Sequence, residues 1–515
     1  MTSIGRLLDI NRLNWLPLQL LVLSGLVLSM ATAPAASVAR RIVSDNGDPI
    51  LWPSYLTEFE GKLYFRANNL LHGNNVELWE FDGTVARLAA EINPGATGSD
   101  PSCLEVWNGK LYFCASTNGG SNKLWQYDAA EGASLVPGSA SNASLPQDLF
   151  AYGGNLYFRA ARFGVPGNIG IELWKFDGTS QTPIDLFAGT GSSYPQHFIE
   201  YNGLLYFNAC GSPGQGTELW SYNGLGMPTE AVRIYPSNGS SPENFAVYDG
   251  LLYFSAYDGA HGRELWRYNG TTASLAADIT PGGQYSSSNP GALTVYKGKL
   301  YFCATDEVHG YELWAFDGTT ARMVAEINPT PDPGNGDTFL MDSSPADFVI
   351  LDDLLYFSAD DGVHGRELWS YDGDQVRLVL DINPGPIGSQ VSELTVFQGT
   401  LYFSADDGYV PGLNGLEPKV FALAPAAPAT PLRWFPPLVS PDNGFMLTLG
   451  NADGSPITSS QLPRIQIHAS SNPNDPLNLW QPIDTTFTLT NGVVQITGLS
   501  VTNLPCRFFR AVQIP

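Results

Sequence analysis

Apolar positions along most of the chain fall in short blocks separated by tight turns. In residues 245–279, apolar stretches at 245–248 and 251–256 flank Asp-Gly, a dipeptide typical of two-residue hairpin turns. After a loop, stretches at 264–268 and 273–279 flank Asn-Gly in the same way. The block therefore predicts four short strands paired in sequence.

This four-strand block recurs with a period near 48 residues. Glu-Leu-Trp follows Leu-Tyr-Phe in six copies, Lys123-Leu-Trp replaces it in one, and Glu417-Pro418-Lys419 is read as its decayed eighth form. A period of this length indicates a modular array. The tripeptide Leu-Tyr-Phe occurs eight times, with its Leu at positions 63, 111, 156, 205, 252, 300, 355 and 401.

Adjacent Leu, Tyr and Phe point to alternate faces of a strand, so both faces of each small sheet are apolar. Such a sheet must be covered on both sides, as the blades of a β-propeller are. The predicted fold class is therefore all-β, with an eight-bladed β-propeller over residues 40–423.

The two ends of the array predict how the ring closes. The eighth repeat runs into an Ala/Pro-rich segment that cannot supply a fourth strand. Residues 41–45 copy the fourth-strand pattern of residues 87–91 and have no first three strands before them. We expect this N-terminal strand to complete the eighth blade, which removes an exposed edge. A seven-bladed ring with one stray repeat is the alternative.

The repeat resembles the ELWxxDGT repeat family. The resemblance rests on the run Leu-Tyr-Phe-Ser-Ala-Asp-Asp-Gly-Val-His-Gly-Arg-Glu-Leu-Trp-Ser-Tyr-Asp-Gly at 355–373 and on Leu-Asp-Ile-Asn-Pro-Gly at 380–385. It covers residues 40–423, with departures at Lys123, Ala129 and Lys419. The resemblance implies a β-propeller in a secreted or surface bacterial protein and no defined catalytic activity.

Residues 424–433 are an Ala/Pro linker, and residues 434–515 predict a small β-sandwich. Its short strands are expected at 445–449, 465–469, 487–490, 493–496 and 507–512. The module resembles the terminal immunoglobulin-like domains of exported bacterial proteins.

The first 39 residues predict a secretory signal peptide. Arg6 and Arg12 precede an apolar run that reaches Ala31, and small residues follow it. We expect cleavage between Ala33 and Ala39, with an uncleaved membrane anchor as the alternative. The mature protein is then secreted, periplasmic or on the cell surface, without a later membrane span.

The formal charge of −25 excludes nucleic acid as a partner, because phosphate contact needs clustered Lys and Arg. Only 15% of residues are charged and 43% are apolar, which is too apolar for a disordered chain. We expect a monomer.

Five cysteines leave the disulfide pattern open. The Asn108-Gly109 turn predicts a hairpin that sets Cys103 opposite Cys114. This would be a hydrogen-bonded pair, whose wider Cα separation suits a disulfide less well. A disulfide and two free thiols therefore both stay open.

Loops between the second and third strands carry the candidate chemistry. A ring of Ca²⁺ or other divalent-metal sites is one interpretation of their carboxylates, and ordinary Asx turns are the other. The binding candidates on this loop face are His72, His261, His309, His364 and Tyr409. The metal candidates are Asp258, Asp360, Asp361, Asp406 and Asp407.

No known catalytic motif occurs, and the repeated aromatics lie on strands with two apolar faces, which favours core packing over sugar stacking. We expect an exported, non-catalytic binding or scaffold protein that presents its loop face to an extracellular polysaccharide or protein. The alternative is a secreted enzyme that acts on glycans through acidic residues of that face.

Overall fold

A computed structural model describes residues 38–68, 75–95, 97–138, 143–163, 168–330, 341–408 and 417–424, and beyond them only strands. All the secondary-structure elements of these residues are β-strands. One compact unit comprises Ala39–Leu423, and the strands after Ala424 belong to a second. No helix of the described part is long and apolar enough to cross a membrane.

Each repeat forms strands that pair antiparallel in chain order. The first strands are β2 (Leu51–Phe59), β6 (Ser102–Trp107), β10 (Ser144–Tyr152), β14 (Gln196–Tyr201), β18 (Glu243–Tyr248), β22 (Gly291–Tyr296), β26 (Ala346–Leu351) and β30 (Ser392–Phe397). The second strands are β3 (Lys62–Asn68), β7 (Lys110–Ala115), β11 (Asn155–Arg162), β15 (Leu204–Ala209), β19 (Leu251–Tyr257), β23 (Lys299–Thr305), β27 (Leu354–Asp360) and β31 (Thr400–Ala405). The third strands are β4 (Val76–Phe81), β8 (Lys123–Asp128), β12 (Ile169–Phe176), β16 (Glu218–Tyr222), β20 (Arg263–Tyr268), β24 (Tyr311–Phe316), β28 (Arg366–Tyr371) and β32 (Lys419–Ala424). The fourth strands are β5 (Ala86–Ala90), β9 (Gly132–Leu135), β13 (Gln181–Ile184), β17 (Thr229–Val232), β21 (Ala273–Ala277), β25 (Ala321–Ala325) and β29 (Val376–Leu380).

The N-terminal strand β1 (Val38–Arg41) pairs with the third strand of the last repeat, β32. Just beyond it, the Ile42 N–H donates to the Val420 carbonyl at 2.8 Å. Strand β2 also meets β32, where Leu51 is the partner of Lys419. The first and last repeats therefore share one sheet, while each repeat between them forms a four-stranded sheet.

The hydrophobic cores lie between neighbouring repeats. Tyr64 of the first repeat, for example, packs in one cluster with Leu111 and Phe113 of the second. The same grouping joins the last repeat to the first, because Tyr402 lies in a cluster with Leu63 and Phe65. All three residues of each Leu-Tyr-Phe motif are buried, and each large side chain contributes about 1.5–3 kcal/mol by its burial.

The glutamate of each Glu-Leu-Trp motif accepts hydrogen bonds from the loop that leads to the next repeat. Glu367, for example, accepts hydrogen bonds from the N–H groups of Ile382 and Ser389 at 3.0 and 2.8 Å and from the Ser389 hydroxyl at 2.6 Å. Buried carboxylates need such donors. The same arrangement occurs at Glu77, Glu172, Glu218, Glu264 and Glu312.

The register corrects the reading of the eighth motif. Lys419 lies opposite Ala405, as Glu367 lies opposite Ala359 in the seventh repeat. The position of Glu-Leu-Trp is therefore taken by Lys419-Val420-Phe421 and not by residues 417–419. The buried Lys419 ammonium is paired with Asp406 and Asp407 at 3.3 and 2.9 Å.

The strands that follow Ala424 form two further sheets. One contains β33, β34, β35, β38 and β39, and the other contains β36, β37 and β40. Strands occur at each of the five segments expected from the sequence. Their bounds are β33 (Leu432–Trp434), β34 (Leu438–Ser440), β35 (Gly444–Asn451), β36 (Ile465–Ser470), β37 (Gln481–Pro482), β38 (Thr486–Thr490), β39 (Val493–Thr497) and β40 (Phe508–Gln513).

Candidate functional site

A β-bulge interrupts the first strand of every repeat at the same place. In the seventh repeat, Ala346 pairs with Ser358 but Val349 pairs with Tyr356, so the first strand carries one extra residue. In each repeat the residue directly after the last pair before the bulge, Asp347 after Ala346 in this repeat, has a left-handed backbone with φ between 54° and 59°. We call it the bulge residue. These residues are Tyr55, Cys103, Asp148, His197, Asn244, Ala292, Asp347 and Glu393.

A second left-handed residue lies three positions earlier in each repeat, with φ between 44° and 55°. None of these sixteen positions is glycine, although the left-handed conformation costs other residues about 1–2 kcal/mol each. Left-handed residues other than glycine also occur in the hairpin turns, as at Glu60 and Lys297, so the conformation belongs to the repeat and only the side chains it displays differ between repeats. We call both sets together the mouth ring; the second set is Trp52, Asp100, Leu145, Tyr194, Ser241, Asn289, Ser344 and Gln390.

The mouth ring lies where the first strands begin, and these strands contact one another from repeat to repeat and from the last repeat back to the first. Bulge residues also form hydrogen bonds with neighbouring repeats. The Tyr55 N–H donates to the Glu393 carboxylate at 2.8 Å, and the Asn244 side-chain amide donates to the Pro290 carbonyl of the next repeat at 3.3 Å. The ring is therefore a connected surface at one end of the first strands.

The chemistry of the mouth ring differs between its halves. Trp52, Tyr55, Leu145 and Tyr194, all in the first four repeats, are 37%, 38%, 44% and 49% exposed. Burial raises the pKa of Glu393, and the neighbouring Asp347 raises it further. The last four repeats present only small, amide or carboxylate side chains at the ring: Ser241, Asn244, Asn289, Ala292, Ser344, Asp347, Gln390 and Glu393.

The mouth ring is not among the sites predicted from the sequence, although the sequence contains a signal for it. Ser-x-Pro precedes the bulge in six repeats, and the residue between Ser and Pro is the earlier left-handed one. The triplets occupy 99–101, 144–146, 193–195, 240–242, 288–290 and 343–345. Because the bulge residues share no type, no residue pattern marks them.

The predicted histidines are held in turns by nearby aspartates. Nδ1 of His261 is 2.7 Å from Oδ2 of Asp258, whose other oxygen accepts the N–H groups of Ala260 and His261 at 2.8 Å. His309 pairs with Asp306 in the same way, and His364 pairs with Asp361. The hydrogen bond to Asp258 raises the pKa of His261. His72 and Tyr409 lie outside the described residues.

The remaining metal candidates also have protein partners. Asp360 accepts the Gly362 N–H at 2.7 Å. Asp406 and Asp407 both pair with Lys419, and Arg41 pairs with Asp407. Among the described residues, no three His, Cys, Asp or Glu side chains are grouped closely enough to hold a metal ion. The geometry favours the turn interpretation, and calcium binding stays a prediction.

Both cysteines of the predicted hairpin are free thiols. Pairing follows the expected register as far as Glu105 and Tyr112, and then the bulge shifts it, so Ser102 lies opposite Cys114. Cys103 is therefore the left-handed bulge residue. The predicted pairing of Cys103 opposite Cys114 was therefore wrong, because the bulge adds one residue to the first strand.

Neither a family model nor a curated protein matches the chain. Similar solved structures include a prolyl endopeptidase, with TM-score 0.45 and 12% identity over 79% of this chain and 55% of that one. A puromycin hydrolase has TM-score 0.41 and 13% identity over 75% and 63%. The β-propeller domain of the Trilobed protease from Pyrococcus furiosus has TM-score 0.38 and 13% identity over 64% and 98%. This chain spans 55% of the prolyl endopeptidase and 63% of the puromycin hydrolase, which is less than two thirds of either structure.

These similarities correct the expected function. Several of the similar structures are enzymes, namely a prolyl endopeptidase, a puromycin hydrolase and an acylaminoacyl peptidase from Pyrococcus horikoshii. They contradict the expectation of a non-catalytic binding or scaffold protein, and they do not support the alternative of an enzyme acting on glycans. At 11% to 13% identity the likeness concerns the fold and assigns no activity to this chain.

Proposed function

We propose that this protein acts on polypeptides, and that an extended peptide enters at the mouth ring. The observation that carries the proposal is the distribution of side chains in that ring, where exposed aromatics occur only in the first four repeats. Trp52, Tyr55 and Tyr194 offer exposed aromatic faces for apolar peptide side chains. Asp347 and Glu393 offer carboxylates for an amino terminus or a basic side chain. The likeness to peptidases agrees with this proposal but supplies none of its argument.

The proposal includes the architecture that forms the mouth. An eight-bladed ring, with β1 as the last strand of the eighth blade, is supported by the cyclic contacts of the first strands. The cluster of Tyr402 with Leu63 and Phe65 across the chain ends supports it further. Eight first strands would then surround one axis, and the mouth ring would line one opening of it.

The test uses a tryptic digest of an unrelated protein, whose peptides carry an amino terminus and a basic residue. The purified chain is incubated with the digest, and mass spectrometry measures both retained peptides and new cleavage products. We expect the double variant Trp52→Ala/Tyr194→Ala to lose at least about tenfold in peptide retention, since each aromatic contact contributes about 1 kcal/mol.

The matched control is Tyr285→Ala, because Tyr285 is 89% exposed but lies outside the mouth ring. This variant should retain peptides as the unmodified chain does. Equal retention by the Trp52/Tyr194 variant and the unmodified chain would overturn the proposal, as would the absence of peptide retention by the unmodified chain.

A further inference from the structure

In each repeat, the left-handed bulge residue is adjacent to the side chain that follows Leu-Tyr-Phe on the second strand. We call these two residues the bulge pair. In the third repeat they are Asp148 and Arg159, whose carboxylate and guanidinium form an ion pair at 2.9 Å. In the second repeat they are Cys103 and Cys114, because Ser102 lies opposite Cys114 and Cys103 is the next, extra residue of the bulge. The fold therefore brings two cysteines into contact at the mouth ring.

The two thiols have different environments. Cys114 is completely buried, and burial raises its pKa well above the ordinary value. Cys103 is only partly buried. The hydrogen bond from Cys114, together with the N–H of Asp148, lowers the pKa of Cys103 to about 7. Since the thiolate is the nucleophilic form, Cys103 is the reactive member and Cys114 lies directly behind it.

We propose that Cys103 and Cys114 form a reactive dithiol that exchanges with small-molecule or protein disulfides at the mouth ring. The Cys103 thiolate attacks one sulfur of the incoming disulfide and expels the other as a thiolate, which leaves a mixed disulfide on Cys103. Cys114 then attacks the Cys103 sulfur and expels the second thiolate, which takes up the proton that Cys114 loses. The protein dithiol is oxidised and the incoming disulfide is reduced to two thiols.

The sixth repeat supplies an internal comparison. Its bulge pair consists of Ala292 and Cys303, and burial raises the pKa of the Cys303 thiol to about 12. This thiol has no second cysteine beside it in the pair, so it should not react. If the position itself brings thiols together, Ala292→Cys should produce a second reactive pair.

The experiment exposes the folded chain to glutathione disulfide and identifies the modified cysteines by peptide mass spectrometry. We expect the unmodified chain to lose two hydrogens in a link between Cys103 and Cys114, while Cys303 stays a thiol. Cys114→Ser should trap one glutathione on Cys103, with a rate that rises with pH around a midpoint near 7. The serine hydroxyl keeps a donor beside Cys103, so this variant preserves the local hydrogen bond.

Several results would overturn the proposal. These are an unmodified chain that keeps both thiols, a Cys103→Ser variant in which Cys114 still reacts, and a Cys114→Ser variant that gives no adduct. Ala292→Cys tests the geometry apart from the natural cysteines, and failure to form a link with Cys303 would count against it. These readouts do not involve peptides, so they are independent of the proposed action on polypeptides.

Discussion

Single residues at the mouth ring carry conformational strain that glycine would avoid. The hairpin turns pair a glycine with a non-glycine residue of positive φ, as at Gly250 with φ 73° and Asp249 with φ 47°. The mouth ring instead places Trp52, Leu145 and Tyr194 in the left-handed region, at about 1–2 kcal/mol each. Glycine would lower that cost but remove the side chain, so the retained side chains are the reason to look for function here.

Buried motif glutamates with a raised pKa make stability depend on pH, and Glu312 gives the clearest case. Burial raises its pKa to about 7 from the ordinary 4.5. The folded state thus binds the proton more tightly than the unfolded state, and this stabilising contribution is fully present below pH 4.5 and lost as the pH rises through 7. The unfolding free energy of the unmodified chain minus that of Glu312→Gln is one difference. We expect it to be about 2 kcal/mol larger at pH 5 than at pH 8.

Urea unfolding at the two pH values measures this difference. Glu58→Gln is the control substitution, because Glu58 is an exposed carboxylate on β2. A difference for Glu312→Gln that is equal at both pH values, or larger at pH 8, would contradict the assignment.

At the scale of elements, the strands could be predicted and the bulges could not. Alternation within Leu-Tyr-Phe and the tight turn before it define hairpins locally, so the four strands of each repeat follow from sequence. That turn has a Gly in seven repeats and Asp353 in the seventh one along the chain. The bulge depends on how the first strand meets its neighbours, as in the hydrogen bond from the Tyr55 N–H to Glu393 between the first and last repeats. Contacts of this kind between distant residues leave no local pattern of their own, and only the Ser-x-Pro triplet of six repeats marks the place.

The eighth repeat shows the same limit in another form. The sequence contains a glutamate at position 417, and motif matching placed it where Glu367 lies in the seventh repeat. The structure instead aligns Lys419 with that position. Lys419 meets Asp406 and Asp407 there, so a buried cation with two carboxylates replaces a carboxylate with loop donors. Because the charge at this one buried position is reversed, matching by residue type does not find the eighth copy of the motif at its true position.

The N-terminal strand provides the prediction at this scale. Strand β1 and Ile42 bond to β32, and Arg41 pairs with Asp407. Without residues 38–48, the last repeat has an unpaired edge and loses the buried Ile42 side chain. We expect a chain that begins at residue 49 to melt at a lower temperature than one that begins at residue 38, throughout the repeat unit. Calorimetry of the two chains tests this, and equal melting temperatures would contradict it.

For the repeat unit as a whole, the arrangement of cores accounts for both stability and the position of the mouth. Each Tyr of the motif packs against the next repeat, so no repeat completes its core alone. The first and last repeats share a core in the same way as neighbours in sequence do, and the first strands contact one another around the array. The variable residues of the mouth ring then lie on a scaffold of repeated contacts, which is the usual arrangement for a site.

Closure of the array can be tested by comparing two equivalent cavities. Phe65 is buried in the cluster that joins the last repeat to the first, and Phe302 is buried between the fifth and sixth repeats. In a closed ring the two positions are equivalent, so Phe65→Ala and Phe302→Ala should each reduce the unfolding free energy by about 3–5 kcal/mol. Both variants should unfold in one transition in urea, followed by tryptophan fluorescence. If the array is open between its ends, Phe65→Ala will cost much less than Phe302→Ala, because repeats at a free end are not held on both sides.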